Sequence, residues 1–344
     1  MNFFLTIIFP LFTAFVISLY FLPLLAKVAY RLSIVDKPDN ILKKHEFATP
    51  YLGGLGIYLG LIASLSAWLP FKNNMLILIL GVTILLVVGL IDDIVQMSPS
   101  NKFIGQFLIV LCLLKSGIFL KEQFFNNILN ILLSFVWLLS IINAFNLVDV
   151  MDGLCAIIAI SNIIIFLVLG ILFSKINIII LLAAFLGALL SFFIFFNKPA
   201  AKMYLGDSGS MFIGGLLGSM PFFFSWSEFN SLGFFAPILI FAIPILELLS
   251  LILIRLYKGI SPFKGSRDHF SLYLYDKGWT KNQILVFSFT TSILWGLLAI
   301  LFVFNFSSIG FISLFSAIFF VVWAFCVLDK NMLHFVLNFK KVTK

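Results

Sequence analysis

The sequence predicts an all-α integral membrane protein of about eleven transmembrane helices, with the N-terminus outside and the C-terminus in the cytoplasm. Three observations carry this. First, 62% of the 344 residues are hydrophobic and 10% are charged, with a mean hydropathy of +1.18. A soluble fold cannot cover that much apolar side chain with a polar surface. Second, the apolar residues gather in runs of membrane-crossing length. Third, the basic residues between those runs fall mostly on alternate sides. A soluble enzyme, a nucleic-acid binder and a disordered chain are excluded.

A spanning helix takes about 20 apolar residues. Eleven runs qualify: 3–25, 52–71, 74–91, 103–120, 125–142, 153–174, 176–196, 209–225, 232–256, 283–304 and 308–328. The first lacks a basic leader and exceeds a signal-peptide core, so it is a retained span. The loops after the odd-numbered spans and the C-terminus hold 18 of the 22 Lys and Arg residues; only Lys72, Lys115, Lys121 and Lys175 lie opposite. The positive-inside rule makes the basic side cytoplasmic. Most acids share that side, whereas Glu122 and Glu228 fall outside and Glu247 lies within a span. The chain therefore reads as one polytopic domain, 1–344, with functional loops 26–51, 92–102, 143–152, 197–208 and 257–282. Cys112, Cys155 and Cys326 have no metal-ligand spacing and read as buried thiols.

Five aspartates sit where apolar segments meet the cytoplasm: Asp92 and Asp93 in GLIDD, Asp149 and Asp152 in NAFNLVDVMDGL, and Asp207 in YLGDSGS. Adjacent Asp92 and Asp93 point about 100° apart on a helix, so they serve two different partners. Asp149 and Asp152 share a face if helical, and Asn143 and Asn146 continue that three-residue ladder. Gly206 lets the backbone at Asp207 turn and approach a ligand closely. Carboxylates crowded at a membrane interface stay ionised together only with a cation. An oxygen-only set suits magnesium, with manganese as the alternative ion. Lys102 and Lys202 lie near these acids, and Lys43 and Lys44 lie in the first loop; with a metal centre they suit a diphosphate. Glu247 is the one intramembrane acid, two turns from Arg255 along one face, with Pro244 as a candidate helix break. His269 lies in the last long loop beside Arg267 and Asp268.

The ordered blocks VDKPD…KKH…TPYLGG, GLIDD…K…GQ, NAFNLVDVMDGL, FNKPAAKMYLGDSGSMFIGG and SPF…H resemble the polyprenyl-phosphate N-acetylhexosamine-1-phosphate transferases, glycosyltransferase family 4. The resemblance covers residues 34–282. It implies a phosphotransferase that moves a sugar-1-phosphate, such as GlcNAc-1-phosphate, from a UDP-sugar to undecaprenyl (polyprenyl) phosphate. UMP is released, in the inner membrane of a bacterium, with a homodimer as one conceivable assembly. Position by position, Asp207 resembles the main magnesium ligand, with Asp149 and Asp93 completing the metal set. Asp92 and Asp93 resemble the paired acids, one of which assists the metal or activates the lipid phosphate. A covalent aspartyl phosphate and direct attack by the lipid phosphate are both compatible. Lys102 matches the family lysine. Asn143, Asn146, Asp149 and Asp152 match the nucleotide-side block, with Asp152 near the uridine; Asn197 and Tyr204 match uridine-contacting positions. His269 matches the family's catalytic loop histidine, and Lys43 and Arg267 complete the substrate set.

Two positions depart from the family pattern. Val150 stands where a glycine is common, and because a β-branched residue avoids positive φ, a regular helix is expected through it. The last loop keeps only His269, with Ser271 and Leu272 where further histidines are common. That departure and the span count favour the WecA-like branch over the MraY branch, whose donor carries muramoyl pentapeptide. A rival of another class is a cation-coupled transporter, which places polar sites at midplane in repeated halves; here the acids line one interface. An inactive scaffold of the same fold is a further rival, opposed by the retained aspartates and Lys102. No phosphate-binding Gly-Lys-Ser/Thr loop is present to drive a pump.

Overall fold

The computed structural model describes residues 2, 4–36, 48–70, 73–305 and 323. The expected span at 308–328 (Trp323 apart), together with Lys43, lies outside the described residues. Among those described, six helical segments are long and apolar enough to cross a membrane: Phe4–Arg31, Asn74–Val95, Asn127–Val148, Leu154–Leu172, Ile176–Asn197 and Lys281–Val303. A seventh candidate is a pair of helices bent by 73°, Gly233–Ile240 with Ala242–Tyr257. The protein is thus an all-α, multi-pass membrane protein. Helices also occupy the other expected segments, but they are short.

In order, the helices are α1 (Phe9–Arg31), α2 (Gly53–Trp68), α3 (Asn73–Val95), α4 (Pro99–Lys115), α5 (Asn127–Val148) and α6 (Leu154–Leu172). They continue as α7 (Ile176–Phe192), α8 (Gly206–Ser219), α9 (Ala236–Ile240), α10 (Ala242–Tyr257), α11 (Phe270–Asp276) and α12 (Lys281–Val303). The polar residues between apolar runs set the boundaries. Ser98 accepts the Asn101 amide at 3.3 Å, with Pro99 following at the position where a missing N–H costs nothing. Asn126 does the same for Leu129 at 2.8 Å. Thr280 and Gln283 form a reciprocal capping box at α12.

The centre of the bundle is α8. Only 14 residues long, it is buried at every position except Asp207. Helices α2, α3 and α5 pack directly around it. Small residues permit this, as expected where apolar lipid gives helices no hydrophobic reason to associate. A Cβ on Gly54 of α2 would lie 2.3 Å from the Cα of Gly209. The start of α2 docks on the same helix end: Gly53 and Gly54 donate to the carbonyls of Tyr204 and Leu205 at 3.1 and 3.0 Å. A two-stranded antiparallel ladder, β1 (Val35–Asp36) with β2 (Thr49–Pro50), precedes it.

Three expectations are corrected. The break before α10 falls at Phe241, not Pro244. Pro244 sits in the first turn of α10, where proline is tolerated because that N–H has no helical acceptor. Cys112 is exposed, whereas Cys155 is buried; a thiol on an outward apolar face needs no burial in a membrane protein. Cys326 lies outside the described residues. The helix expected through Val150 is also absent: α5 ends at Val148, Asp149 follows with ψ at 52°, and Gly153 carries the positive φ of 78°. The glycine that reverses the chain is therefore three residues after Val150, which keeps an ordinary conformation.

Candidate active site

The acidic residues converge at one end of the bundle because three helices end or begin there. Asp92 and Asp93 lie in the last turn of α3, Asp149 caps the C-terminus of α5, and Asp207 lies in the first turn of α8. The two neighbours on α3 do take different partners. Asp92 accepts the Met97 amide through Oδ1 at 2.6 Å, and its Oδ2 meets Lys102 Nζ at 2.9 Å. Asp93 turns the other way and accepts the amides of Asp207 (2.8 Å) and Ser208 (3.1 Å). It thus caps α8 from a neighbouring helix and satisfies two donors that the helix itself leaves open.

Gly206 makes this contact possible. Its φ is +77°, and a Cβ there would lie 2.6 Å from Asp93 Oδ2 and 2.7 Å from the Tyr51 carbonyl. The close approach expected of this glycine is thus made by Asp93 and the loop before α2. Lys102, from the first turns of α4, bridges two acids. Its Nζ is 2.9 Å from Asp92 Oδ2 and 2.9 Å from Asp207 Oδ2, and it donates to Asn146 Oδ1 at 3.4 Å. Asn146 in turn donates to Asp207 Oδ1 and, at 3.0 Å, to Ser210.

One turn deeper, Asn143 donates to Gln106 Oε1 at 2.8 Å. Gln106 is fully buried, and its amide nitrogen has no partner among the described residues. In the sequence it closes the GLIDD…K…GQ block, but no role was given to it there. The signal was its four-residue spacing from Lys102, which puts both on one helical face.

The Asp149 carboxylate has no hydrogen-bond or ion-pair partner among the described residues, although its amide donates to the Phe145 carbonyl at 3.2 Å. Burial raises its carboxyl well above the usual carboxylate range, and the charges of Asp207, Asp93 and Asp152 push it the same way. A carboxylate in that position gains from an added cation. Among the described residues no group of three or more His, Cys, Asp or Glu converges as a ready-made cage. Asp207, Asp149 and Asp93, expected as a three-carboxylate magnesium set, thus form no such cage; a magnesium ion here would be held by one or two carboxylates, with water and substrate phosphates completing its shell.

The remaining candidates divide into a wall beside this cluster and a separate loop. Asp152 pairs with Lys281 at 2.7 Å. The rings of Tyr51 and Tyr204 lie 6.0 Å apart. Burial raises the Tyr204 hydroxyl above its ordinary value, helped by the charge of Asp152. A π-helical turn, Phe193–Asn197, extends α7 and ends on a buried Asn197. Asn197 accepts the Gly153 amide at 3.1 Å and donates to the Met203 carbonyl at 3.1 Å, so it braces the wall.

His269 is brought to Glu247, not to the acid cluster. Its Nδ1 lies 2.8 Å from Oε1 of that carboxylate, and the Phe270 amide reaches Oε2 at 3.4 Å. Both side chains are buried, so the pair ties the last loop to α10. Arg255, two turns along the same face, binds elsewhere. It donates to Pro262 O at 2.6 Å and Ser266 Oγ at 3.1 Å, fastening the same loop. Arg267 is exposed and has no partner among the described residues.

The chain is similar to known proteins over the stretch that carries Asp92, Asp93, Lys102, Asp149 and Asp207. The model of glycosyl transferase family 4 matches residues 75–225, the stretch from α3 to the end of α8. A probable undecaprenyl-phosphate N-acetylglucosaminyl 1-phosphate transferase of Bacillus subtilis is 28% identical over 247 residues, 68% of each chain. The undecaprenyl-phosphate α-N-acetylglucosaminyl 1-phosphate transferase of Escherichia coli K12 is 25% identical over 298 residues, 82% of this chain and 80% of its own. A phospho-N-acetylmuramoyl-pentapeptide-transferase of Wolbachia is 26% identical over 304 residues, 79% of this chain and 90% of its own.

Proposed function

Because the chain is an enzyme of the polyprenyl-phosphate N-acetylhexosamine-1-phosphate transferase superfamily, we propose that it moves an N-acetylhexosamine-1-phosphate, such as GlcNAc-1-phosphate, from a UDP-sugar to undecaprenyl phosphate. UMP leaves, and the product starts a lipid-linked glycan. The observation that carries this reading is Lys102 held 2.9 Å from both Asp92 and Asp207 at the mouth of the central helix. Phosphoryl transfer depends on charge neutralisation and in-line positioning more than on a strong acid. An ammonium shared by two carboxylates can release one of them and meet a phosphate without crossing empty space.

In this reading Asp207 and Asp149 hold Mg²⁺, or Mn²⁺ in its place, with Asp93 behind them. The ion supplies charge neutralisation at the diphosphate. Asp93 fixes the start of α8, so Asp92 is the carboxylate that meets the lipid phosphate. Asn146 orients Asp207, and Asn143 continues the polar face. Tyr204 stacks on the uracil and Asp152 accepts from it, with Asn197 bracing the turn. Arg267 would meet the diphosphate or sugar from the last long loop, which His269 fastens to α10 through Glu247, and Lys43 would complete the substrate set.

The proposed topology has eleven spans, with the N-terminus outside and the acid cluster facing the cytoplasm of a bacterium's inner membrane. Water-soluble donor and membrane-bound acceptor then meet at one interface. A homodimer is the assembly to test. A muramoyl-pentapeptide donor is the second reading, supported by the Wolbachia relative. The transporter reading is not favoured, because the relatives are transferases and the acids gather at one end.

The test is UMP release by the purified protein with undecaprenyl phosphate, Mg²⁺ and a panel of UDP-sugars. Release that requires lipid, metal and a UDP-N-acetylhexosamine supports the reading. Release only with the muramoyl pentapeptide favours the second, and no release with any donor contradicts both.

A further inference from the structure

Lys281 is the first residue of α12, directly after the capping Thr280. It has no place in the motifs above, and it comes from a segment 129 residues from its partner. Its Nζ lies 2.7 Å from Oδ2 of Asp152. Asp152 stands between two features already described. On one side it acts electrostatically on Asp149 of the acid cluster. On the other it acts on Tyr204, whose ring is tilted against that of Tyr51 at 6.0 Å.

The pair is not sealed inside the protein. The Lys281 side chain is 39% exposed and that of Asp152 13%. An ion pair at such a site contributes little to stability, so its geometry matters more than its strength. The ammonium takes Oδ2, and among the described residues no donor is given to Oδ1. A carboxylate held by one oxygen presents the other as a fixed acceptor. The base that complements it carries a ring N–H between two carbonyls: the N–H donates to the carboxylate, and a carbonyl accepts from the two remaining ammonium hydrogens. Uracil has that edge. Cytosine has a bare nitrogen at the same place.

We propose that Lys281 is a positioning residue of the nucleotide subsite, holding Asp152 so that its free oxygen reads the uracil N–H. This rests on the UDP-sugar reading above.

The experiment measures UMP and CMP affinity by titration calorimetry on the full-length protein in detergent, for the wild type, Lys281→Ala, Lys281→Arg and Lys277→Ala. Steady-state constants for UDP-GlcNAc and undecaprenyl phosphate are measured on the same samples. Lys277 is a control, because its ammonium lies over the Tyr273 ring, 5.2 Å from the centroid. Lys281→Ala is expected to weaken UMP binding and raise the donor KM about five- to tenfold. It should narrow the preference for UMP over CMP, with kcat and the lipid KM within about twofold of wild type. Lys281→Arg should restore both, and Lys277→Ala should match wild type.

Unchanged UMP affinity and UMP/CMP preference in Lys281→Ala overturn the inference, as does a fall in kcat with the donor KM unmoved. A wild type that binds UMP but releases none from any donor contradicts the proposed reaction alone, and the UMP/CMP preference still decides the role of Lys281. A wild type that does not bind UMP overturns both.

Discussion

The carboxylate of Asp93 accepts the backbone amide of Asp207 at 2.8 Å. One acid of the cluster therefore positions another through the main chain, while its neighbour Asp92 pairs with Lys102 at 2.9 Å. Two adjacent aspartates of the same chemistry are given different work by the helix that carries them.

This division predicts different phenotypes. Asp93→Asn keeps one carbonyl oxygen but turns an amide donor toward an N–H. It should cost about 1 kcal/mol of stability, the usual worth of a helix cap, and retain partial turnover. Asp92→Asn should leave thermal stability closer to wild type and lose more UMP release. Thermal unfolding in detergent beside a turnover assay separates the two; equal effects on both readouts would remove the assigned roles.

Gly206 predicts a strict requirement. Its φ of +77° and the Asp93 oxygen 2.6 Å from any Cβ leave no room for a side chain. Left-handed backbone alone costs a non-glycine residue roughly 1–2 kcal/mol, and the clash adds to it. Gly206→Ala should lower turnover at least tenfold, an expectation set by that strain. Gly265→Ala, with nothing within 4 Å, should behave as wild type. A fully active Gly206→Ala would show that the start of α8 is not held as described.

Asp149 predicts a pH effect with a definite sign. Its carboxyl is raised in the folded state, mainly by burial. Its contribution to stability is therefore full below the unfolded carboxylate pKa and is lost as pH rises through the higher folded value. In EDTA, Asp149→Asn should unfold at a higher temperature than wild type at alkaline pH, with the difference vanishing in acid. Added Mg²⁺ should raise the wild-type midpoint and move the variant less. Scanning calorimetry across pH checks both; a variant less stable than wild type at high pH would contradict the uncompensated charge.

Glu247 and His269 predict a loop effect. Removing one member of a buried pair typically costs 3–5 kcal/mol. Glu247→Ala should lower stability by about that amount and expose the 258–268 segment to protease. Glu247→Gln, which keeps an acceptor, should do less. Limited proteolysis followed by mass spectrometry reads the cleavage sites, and an unchanged digest would mean that the pair does not anchor the loop.

Much of this was legible in the sequence because the chemistry is rare against its background. An aspartate in an apolar run announces itself, and Asp92, Asp93, Asp149 and Asp207 were all visible that way. The pairing of Lys281 with Asp152 was not, because nothing local links residues 129 positions apart. Glu247 stood out as the one intramembrane acid, but its partner did not, because the loop folds back and supplies His269 from 22 positions away. Val150 misled for a similar reason: residue type showed where positive φ was unwelcome, not that Gly153 would supply it. Helix positions followed from hydropathy, whereas the shortness of α8 did not, since its packing around glycines depends on its neighbours.

In the proposed reaction Asp207, held by Lys102 and Asn146 at the start of α8, carries phosphoryl transfer. The direct measurement is UMP release by Asp207→Asn and wild type at matched folding, with UDP-GlcNAc, undecaprenyl phosphate and Mg²⁺. The variant is expected to insert, unfold near the wild-type temperature and lose turnover by about a thousandfold or more, the scale of a lost electrostatic centre. Wild-type-like UMP release by Asp207→Asn would contradict it.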